Sequence, residues 1–225
     1  MDTPATSLEA LKDIRQIMER SGRFISLSGW SGVAAGCWAL AGAAIARVQL
    51  ATYAEDVSIQ DVVIRGIHRL RAEGSWELSD LYVRFIVLAA CIFAGALGSA
   101  FFFTWSRSRK EGVTLWGPSA RRLLWNTMLP MLAGGVLVLR LIYLDIAGLI
   151  APTCLLFYGL ALVNGSKYTL GEVRYLGYGQ ILLGAINCWV PRYGLYFWAA
   201  GFGVLHIVYG IWMWRKYEKS DREPQ

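Results

Sequence analysis

The sequence is poor in charged residues and contains only two histidines and four cysteines. Charged residues make up 17% of the 225 residues and hydrophobic residues 56%, a composition too apolar for an ordinary soluble enzyme or a disordered chain. Cys37, Cys91, Cys154 and Cys188 all fall in apolar stretches and form no CxxC pair. A small disulfide scaffold is therefore excluded, and packing is the expected role of these thiols.

The apolar stretches also lack the residues on which several membrane activities depend. None contains a lysine, which excludes a retinal-type Schiff base. The charged residues within them, Arg84 and Arg174, lie near an end, so no charged ion path through the monomer is expected. His68 and His206 fall in different parts of the pattern, which argues against a zinc site or a haem held by two histidines. We expect no metal, no cofactor and no catalytic residue.

Six long apolar blocks account for most of the chain. Each is about long enough to cross the roughly 30 Å hydrocarbon layer at about 1.5 Å per residue, and continuous apolar runs favour helices over the alternating strands of a barrel. We therefore predict an all-α fold, a polytopic membrane helical bundle with six transmembrane helices in residues 24–214. The predicted spans are residues 24–46, 81–105, 123–139, 146–163, 173–190 and 195–214.

Two segments outside the spans have the pattern of amphipathic helices. Residues 1–23 contain a capping box, Thr6 with Glu9, followed by an apolar stripe at helical spacing. We predict a cytosolic amphipathic helix there, which lies on the inner membrane surface, docks on the cytosolic loops or binds a partner. The outer loop, residues 47–80, contains a second apolar stripe beside arginines and predicts another amphipathic helix. Residues 215–225 form a basic cytosolic tail.

Lysine and arginine are distributed unequally between the two sides of the predicted bundle. An even number of spans places both termini on one side, and that side holds 15 of the 22 lysines and arginines. Because positively charged flanks remain in the cytosol, we predict a multi-pass protein of the cell (inner) membrane with both termini cytoplasmic. The acidic residues leave the whole formal charge of +6 on the inner side. We expect that side to face anionic lipid headgroups, and we expect no nucleic acid partner.

Most glycines fall within the predicted spans. Span 1 shows the clearest pattern, with Ser28, Gly32 and Gly36 at fourfold spacing. Small residues at this spacing let helix backbones approach closely. We predict that they pack helices within one chain and do not form a dedicated dimer face.

The first candidate binding site is a polar stripe in the last two spans. Gln180 and Asn187 share a face of span 5 with Gly177 and Gly184, and His206 lies on a similar face of span 6. In an antiparallel hairpin, Gln180 and His206 reach the same depth, roughly 16 to 18 Å from the turn. We predict that the stripes face each other, with His206 as either a packing residue or a functional group. The span 6 stripe consists of Ala199, Gly203, His206 and Gly210.

The second candidate site is a polar collar at the inner end of spans 4 and 5. It is suited to an inner vestibule or to a surface for a cytosolic protein; alternatively, it caps the helices and anchors them at the interface through Glu172 and Arg174. The inner collar consists of Asn164, Ser166, Lys167, Tyr168, Thr169, Glu172, Arg174, Tyr175 and Tyr178.

Three segments resemble a family of uncharacterised bacterial multi-pass inner-membrane proteins. They are FISLSG at 24–29, NGSKYTLGEVRYLG at 164–177 and YGLYFWAAGFGVLHIVYGI at 193–211. The resemblance implies residence in a bacterial inner membrane. It supplies no substrate and no catalytic residue.

These patterns support three functional hypotheses. The first is a non-enzymatic sensor, regulator or assembly partner, whose basic cytosolic face and N-terminal helix contact another protein or a second copy of the chain. The second is a small transporter or channel for neutral or hydrophobic molecules, with its opening between spans 5 and 6 and their neighbours. A membrane enzyme ranks third, because no nucleophile with its base, metal cluster or phosphate loop is evident.

Overall fold

The computed structural model describes residues 28–53, 76–112, 116–144 and 146–219. Helix accounts for 91% of these residues, and no strand occurs among them. The all-α prediction is confirmed for this part of the chain. The predicted amphipathic helix of residues 1–23, most of the outer loop and the end of the basic tail lie outside the described residues.

Six long helices follow one another along the described chain. Short 3-10 turns, Ala147–Leu149 and Pro191–Tyr193, precede the fourth and the sixth. The sixth helix, α6, covers residues 194–219 and contains two π-helical stretches, Ala199–Leu205 and Trp214–Lys219. The other five are α1 (Gly29–Tyr53), α2 (Trp76–Glu111), α3 (Pro118–Tyr143), α4 (Ile150–Gly165) and α5 (Val173–Trp189).

Five of the six helical segments are long and apolar enough to cross a membrane, as judged by length and composition; they cover residues 29–52, 83–110, 118–143, 147–165 and 191–218. The remaining helix, α5, has 17 residues, which is the lower limit for a transmembrane helix.

Most helices extend beyond the predicted spans at one or both ends, but α5 does not. α1 continues to Tyr53 and α2 begins at Trp76, so both ends of the predicted outer loop are helical. An apolar run marks only the depth of the hydrocarbon layer, whereas backbone hydrogen bonds continue into polar flanking residues. Turn chemistry sets other ends: Gly112, with φ of 65°, follows α2, and Pro118 begins α3 at a position where no backbone donor is required.

The helices are arranged as an open row. α2 packs on α1, α1 packs on α6, both α5 and the start of α6 pack on α4, and α3 packs on the other side of α4. As a result, α2 and α3 lie at the two ends and expose large apolar side chains, including Phe101, Leu129 and Val136. Apolar surface on this scale exceeds what a soluble monomer exposes.

Glycines allow two of these helix pairs to approach closely. A Cβ atom added at Gly210 would lie 2.6 Å from the carbonyl oxygen of Gly29 on α1. Between α4 and α5, a Cβ atom at Gly159 would lie 2.8 Å from the carbonyl oxygen of Gly177, and the reciprocal distance is also 2.8 Å. The prediction that glycines pack helices within one chain is confirmed at both contacts.

The prediction that the stripes of spans 5 and 6 face each other is confirmed for Gln180 and His206 and wrong for the glycines. On α5, Gly177 and Gly184 contact α4. On α6, Gly203 and Gly210 contact α1. Each helix of the hairpin therefore uses its glycines against a different neighbour, and α5 and α6 meet only along a narrower line that contains the polar residues.

Candidate functional site

Four residues meet in the interior of the bundle, where α4, α5 and α6 come together. Tyr158, Gln180, Gly201 and His206 form this interior cluster, in which Gln180 is fully buried and His206 is 6% exposed. The Nε2 atom of Gln180 lies 3.5 Å from Nδ1 of His206. The prediction that these two residues reach the same depth is confirmed.

The carbonyl group of Gly201 fixes the tautomer of His206. Nδ1 of His206 lies 3.0 Å from the Gly201 oxygen, and because a carbonyl can only accept, Nδ1 carries the proton of the neutral ring. Nε2 then accepts a hydrogen bond from the Tyr158 hydroxyl at 2.8 Å. Gln180 Nε2 also donates to the Gly201 oxygen, at 2.8 Å. Its contact with His206 Nδ1 therefore joins two donors and is not a hydrogen bond.

Gly201 lies in the π-helical stretch of α6, just before His206. π-Helical turns are rare and are frequently found at functional sites. Here the His206 ring bonds to the carbonyl group five residues earlier in the same helix. A Cβ atom at position 201 would lie 2.5 Å from Oε1 of Gln180. Glycine is thus the residue that lets the Gln180 amide reach the backbone of α6.

Aromatic rings border the interior cluster on one side. The ring centroids of Tyr158 and His206 are 5.4 Å apart, and those of Tyr158 and Phe202 are 5.0 Å apart. Trp198 extends the group, 5.1 Å from Phe202. Sequence reasoning missed Tyr158, although a tyrosine in the middle of an apolar span is itself a signal, because its hydroxyl must find a partner there.

Three buried polar atoms near this cluster have no hydrogen-bond partner among the described residues. They are Oε1 of Gln180, Oδ1 of Asn187 and the hydroxyl of Tyr209. The amide nitrogen of Asn187 does bond, donating to the carbonyl oxygen of Val190 at 3.0 Å. A fourth such atom, Oε1 of Gln49, lies on α1. Because buried polar atoms are nearly always paired in native proteins, these atoms need partners that the described residues do not supply.

The inner collar residues make two separate sets of contacts. Its first part joins α4 to α3: Asn164 donates to the backbone oxygen of Asn126 at 2.8 Å, and Lys167 donates to the side-chain oxygen of Asn164 at 3.3 Å. Ser166 bonds within its own turn, and Tyr168 is half-buried. These collar residues therefore make hydrogen bonds within the end of α4 and between α4 and α3.

The second part of the collar joins the α4–α5 turn to the end of α6. Glu172 accepts hydrogen bonds from Nζ of Lys216 at 2.5 Å and from the hydroxyl of Tyr217 at 2.6 Å. Partial desolvation raises the pKa of Glu172, but the bonds from Lys216 and Tyr217 outweigh it and hold the pKa at about 2, below the ordinary 4.5. Arg174, the other residue of the predicted interface anchor, is exposed and lies over the ring of Tyr175.

A second carboxylate, which was not predicted from the sequence, links the ends of three helices. Oε1 of Glu218 accepts hydrogen bonds from the backbone N–H of Gly29 at 2.7 Å and from the Ser28 hydroxyl at 3.1 Å. It also pairs with Arg107 of α2 at 3.4 Å. A carboxylate at the start of α1 is favourable, because it satisfies a free N–H group and complements the helix dipole. We call this end of the bundle the inner end, following the predicted orientation.

Exposed cations lie at the same end of the bundle as these two carboxylates. The carboxylates described there, Glu172 and Glu218, are both engaged in internal contacts. Seven lysines and arginines at the same end are exposed and form no ion pair with either of them. This basic rim consists of Arg109, Lys110, Arg121, Arg122, Lys167, Arg174 and Arg215.

Within the described ranges, no group of three or more histidine, cysteine or acidic residues is placed to hold a metal ion. No protein-family model, curated protein or solved structure matches the chain. The resemblance to bacterial multi-pass inner-membrane proteins therefore stays a prediction.

Proposed function

We propose that the chain is a six-span protein of a bacterial inner membrane, with both termini in the cytosol. The outward apolar side chains of α2 and α3 support this placement, because a lipid bilayer is the environment that suits such a surface. α5 serves as the sixth span. Its polar residues Gln180 and Asn187 are fully buried, as polar side chains within a bilayer must be.

Pairs of a cation and an aromatic ring at both ends of the bundle also support this placement. At the inner end, Arg109 lies 4.8 Å from the Trp105 ring and Lys216 lies 5.5 Å from that of Trp212. Aromatic and cationic residues concentrate at the two membrane interfaces. The corresponding outer pairs are Arg140 with Tyr143, at 5.0 Å, and Arg192 with Tyr193, at 5.7 Å.

Within that membrane, we propose a non-enzymatic role as a regulator or assembly partner that binds an acidic cytosolic protein. The basic rim is the observation that carries this proposal. Since Glu172 and Glu218 are engaged internally, the rim presents an excess of positive charge. Part of that charge faces anionic headgroups, and the remainder complements an acidic surface on a partner.

The contacts of Glu218 give this inner face a defined shape. They hold Ser28, the start of α1, beside the end of α6. The start of α1 and the end of α6 therefore lie side by side at one corner of the rim.

Photocrosslinking in native membranes tests this role. A photoreactive amino acid is placed at Lys167 or Arg215 on the rim and, as matched controls, at Arg140 or Arg192 at the outer end. We expect the rim positions to give one crosslinked protein of defined mass and the outer positions to give none. Crosslinks to lipid alone, a product of twice the chain mass or the same bands from both ends would contradict an acidic protein partner.

A second candidate function is a small transporter or channel for neutral molecules. The three unpaired buried atoms on α5 and α6 favour it specifically, because a solute with hydrogen-bonding groups would satisfy them. A charged substrate is disfavoured, since no charged side chain takes part in the interior cluster.

A further inference from the structure

Polar groups lie at successive depths along the contact of α4, α5 and α6. Asn187 lies near the outer end. Gln180 lies seven residues before it on α5, about 10 Å deeper at helical rise, and His206 of α6 lies at the same depth as Gln180. Tyr209 follows His206 by three residues on α6. Tyr217, bonded to Glu172, lies eight residues beyond Tyr209, about 12 Å closer to the inner end. We call this series the polar file.

The polar file covers most of the thickness of a bilayer. From Asn187 to Tyr217 its members span roughly 27 Å, compared with about 30 Å for the hydrocarbon layer. Its inner half contains the Tyr158 hydroxyl bonded to the His206 imidazole, the Tyr209 hydroxyl, and the Tyr217 hydroxyl bonded to the Glu172 carboxylate.

The hydrogen-bonding groups, charge and space along the polar file restrict the ligands that it can bind. Each of the three unpaired atoms needs one hydrogen bond: Oε1 of Gln180 and Oδ1 of Asn187 are acceptors, and the Tyr209 hydroxyl is a donor or an acceptor. The side chains of the interior cluster are uncharged when His206 is in its neutral tautomer, so they do not offset the desolvation of an ion. The close contact of Gln180 with Gly201 admits no bulky molecule. A neutral molecule the size of water meets all three conditions.

A buried apolar side chain interrupts the outer half of the file. Leu155 of α4 is fully buried and lies between the interior cluster and Asn187. A Cβ atom at Gly184 on α5 would lie 3.1 Å from the Leu155 Cβ, and Gly201 on α6 contacts the far end of the same side chain. Leu155 therefore bridges all three helices at the depth where the file has no polar group.

We propose that the polar file carries water-sized neutral molecules through the bundle and that Leu155 closes it in this conformation. The proposal rests on the transporter as candidate function and extends it by naming the substrate class and the closing residue. It is independent of the partner proposed for the basic rim.

Osmotic shrinkage of proteoliposomes tests the proposal. The full chain and its variants are reconstituted at equal density, and water efflux is followed by stopped-flow light scattering after a hyperosmotic step. We expect Leu155→Ala to shrink several-fold faster than the wild type. A gain of permeability cannot result from failure to fold, provided that an entrapped dye is retained.

Two further variants test whether the gain in water permeability depends on the polar file. Tyr209→Phe, which removes one unpaired oxygen, should return the Leu155→Ala protein towards the wild-type rate. The matched control is Gln49→Leu, which removes an unpaired buried oxygen on α1, away from the file, and should leave the Leu155→Ala rate unchanged.

The other possible outcomes test the transporter and its substrate class separately. If Leu155→Ala speeds glycerol entry as much as water efflux, the transporter remains and the water-sized substrate class is wrong. If neither solute moves faster, both the polar file and the transporter are wrong. Dye leakage, or equal suppression by Gln49→Leu and Tyr209→Phe, would also overturn the polar file.

Discussion

Gly210→Ala should destabilise the bundle by forcing α1 and α6 apart. The new Cβ atom would lie 2.6 Å from the carbonyl oxygen of Gly29 and 2.7 Å from the backbone nitrogen of Val33. Both obstacles are backbone atoms, so no side-chain rotation relieves the contact. An ordinary contact begins at 3.4 Å, and the two helices must therefore separate by about 0.8 Å, the difference between 3.4 Å and 2.6 Å.

The cost of this separation follows from the packing lost along α1 and α6. A gap of about 0.5–1 Å forfeits a quarter to a half of the dispersion energy of each affected atom pair, and overpacking in a close-packed core costs about 1–3 kcal/mol. Alanine also gains about 1 kcal/mol over glycine in helix propensity. That gain must be removed before the packing cost can be measured.

Gly98→Ala supplies the matched control. Gly98 lies in a helix as well, but a Cβ atom there meets nothing within 4 Å. The difference in free energy of unfolding between the two variants therefore isolates the packing term, which we expect to be about 1–3 kcal/mol. Unfolding in mixed detergent micelles, followed by circular dichroism, measures both variants. The reasoning would be refuted if Gly210→Ala were as stable as Gly98→Ala.

Three further predictions concern the polar contacts. Glu172→Gln removes a carboxylate whose pKa is about 2 in the folded chain. Wild-type stability should fall as the pH drops from about 4.5 towards 2, while that of the variant stays flat; parallel pH profiles of detergent unfolding would count against this. Glu218→Ala removes the acceptor of the Gly29 N–H group, so amide exchange at the start of α1 should quicken, and unchanged protection would contradict the assigned contact. Tyr158→Phe removes the donor to His206 and should cost about 1–3 kcal/mol of unfolding free energy, with a shifted Nε2 resonance; an unshifted resonance would disprove the bond.

The depth of Gln180 and His206 could be predicted from the sequence because few variables determine it. Helical rise per residue is fixed, and the turn between α5 and α6 is short, so residues equally far from the turn reach the same level. The all-helical fold could also be predicted, because continuous apolar blocks favour membrane-spanning helices.

Which helix each face contacts could not be predicted. Helical periodicity shows that Gly177 and Gly184 share a face, but it contains no information on whether that face meets α4 or α6. The structure places it against α4. The hairpin partner was the wrong choice, because α5 packs mainly on α4 and α6 packs mainly on α1.

Several site residues were missed for a related reason. Glu218 looked like part of a basic tail, and its partners Ser28 and Arg107 are 190 and 111 positions away in the sequence. Tyr158 and Gly201 lie in apolar stretches where local composition predicts packing only. Contacts of this kind depend on the tertiary arrangement, which one sequence does not specify.

The measurement that tests the account most directly is the accessibility of the two turns that flank α5. Cysteines introduced as Arg192→Cys and Lys167→Cys, in a chain whose four native cysteines are replaced, are treated with a membrane-impermeant maleimide in intact cells. If α5 spans the membrane and the basic rim is cytosolic, position 192 should be labelled at once and position 167 only after the cells are permeabilised. Labelling of position 167 in intact cells, or equal labelling of both positions, would contradict the six-span arrangement.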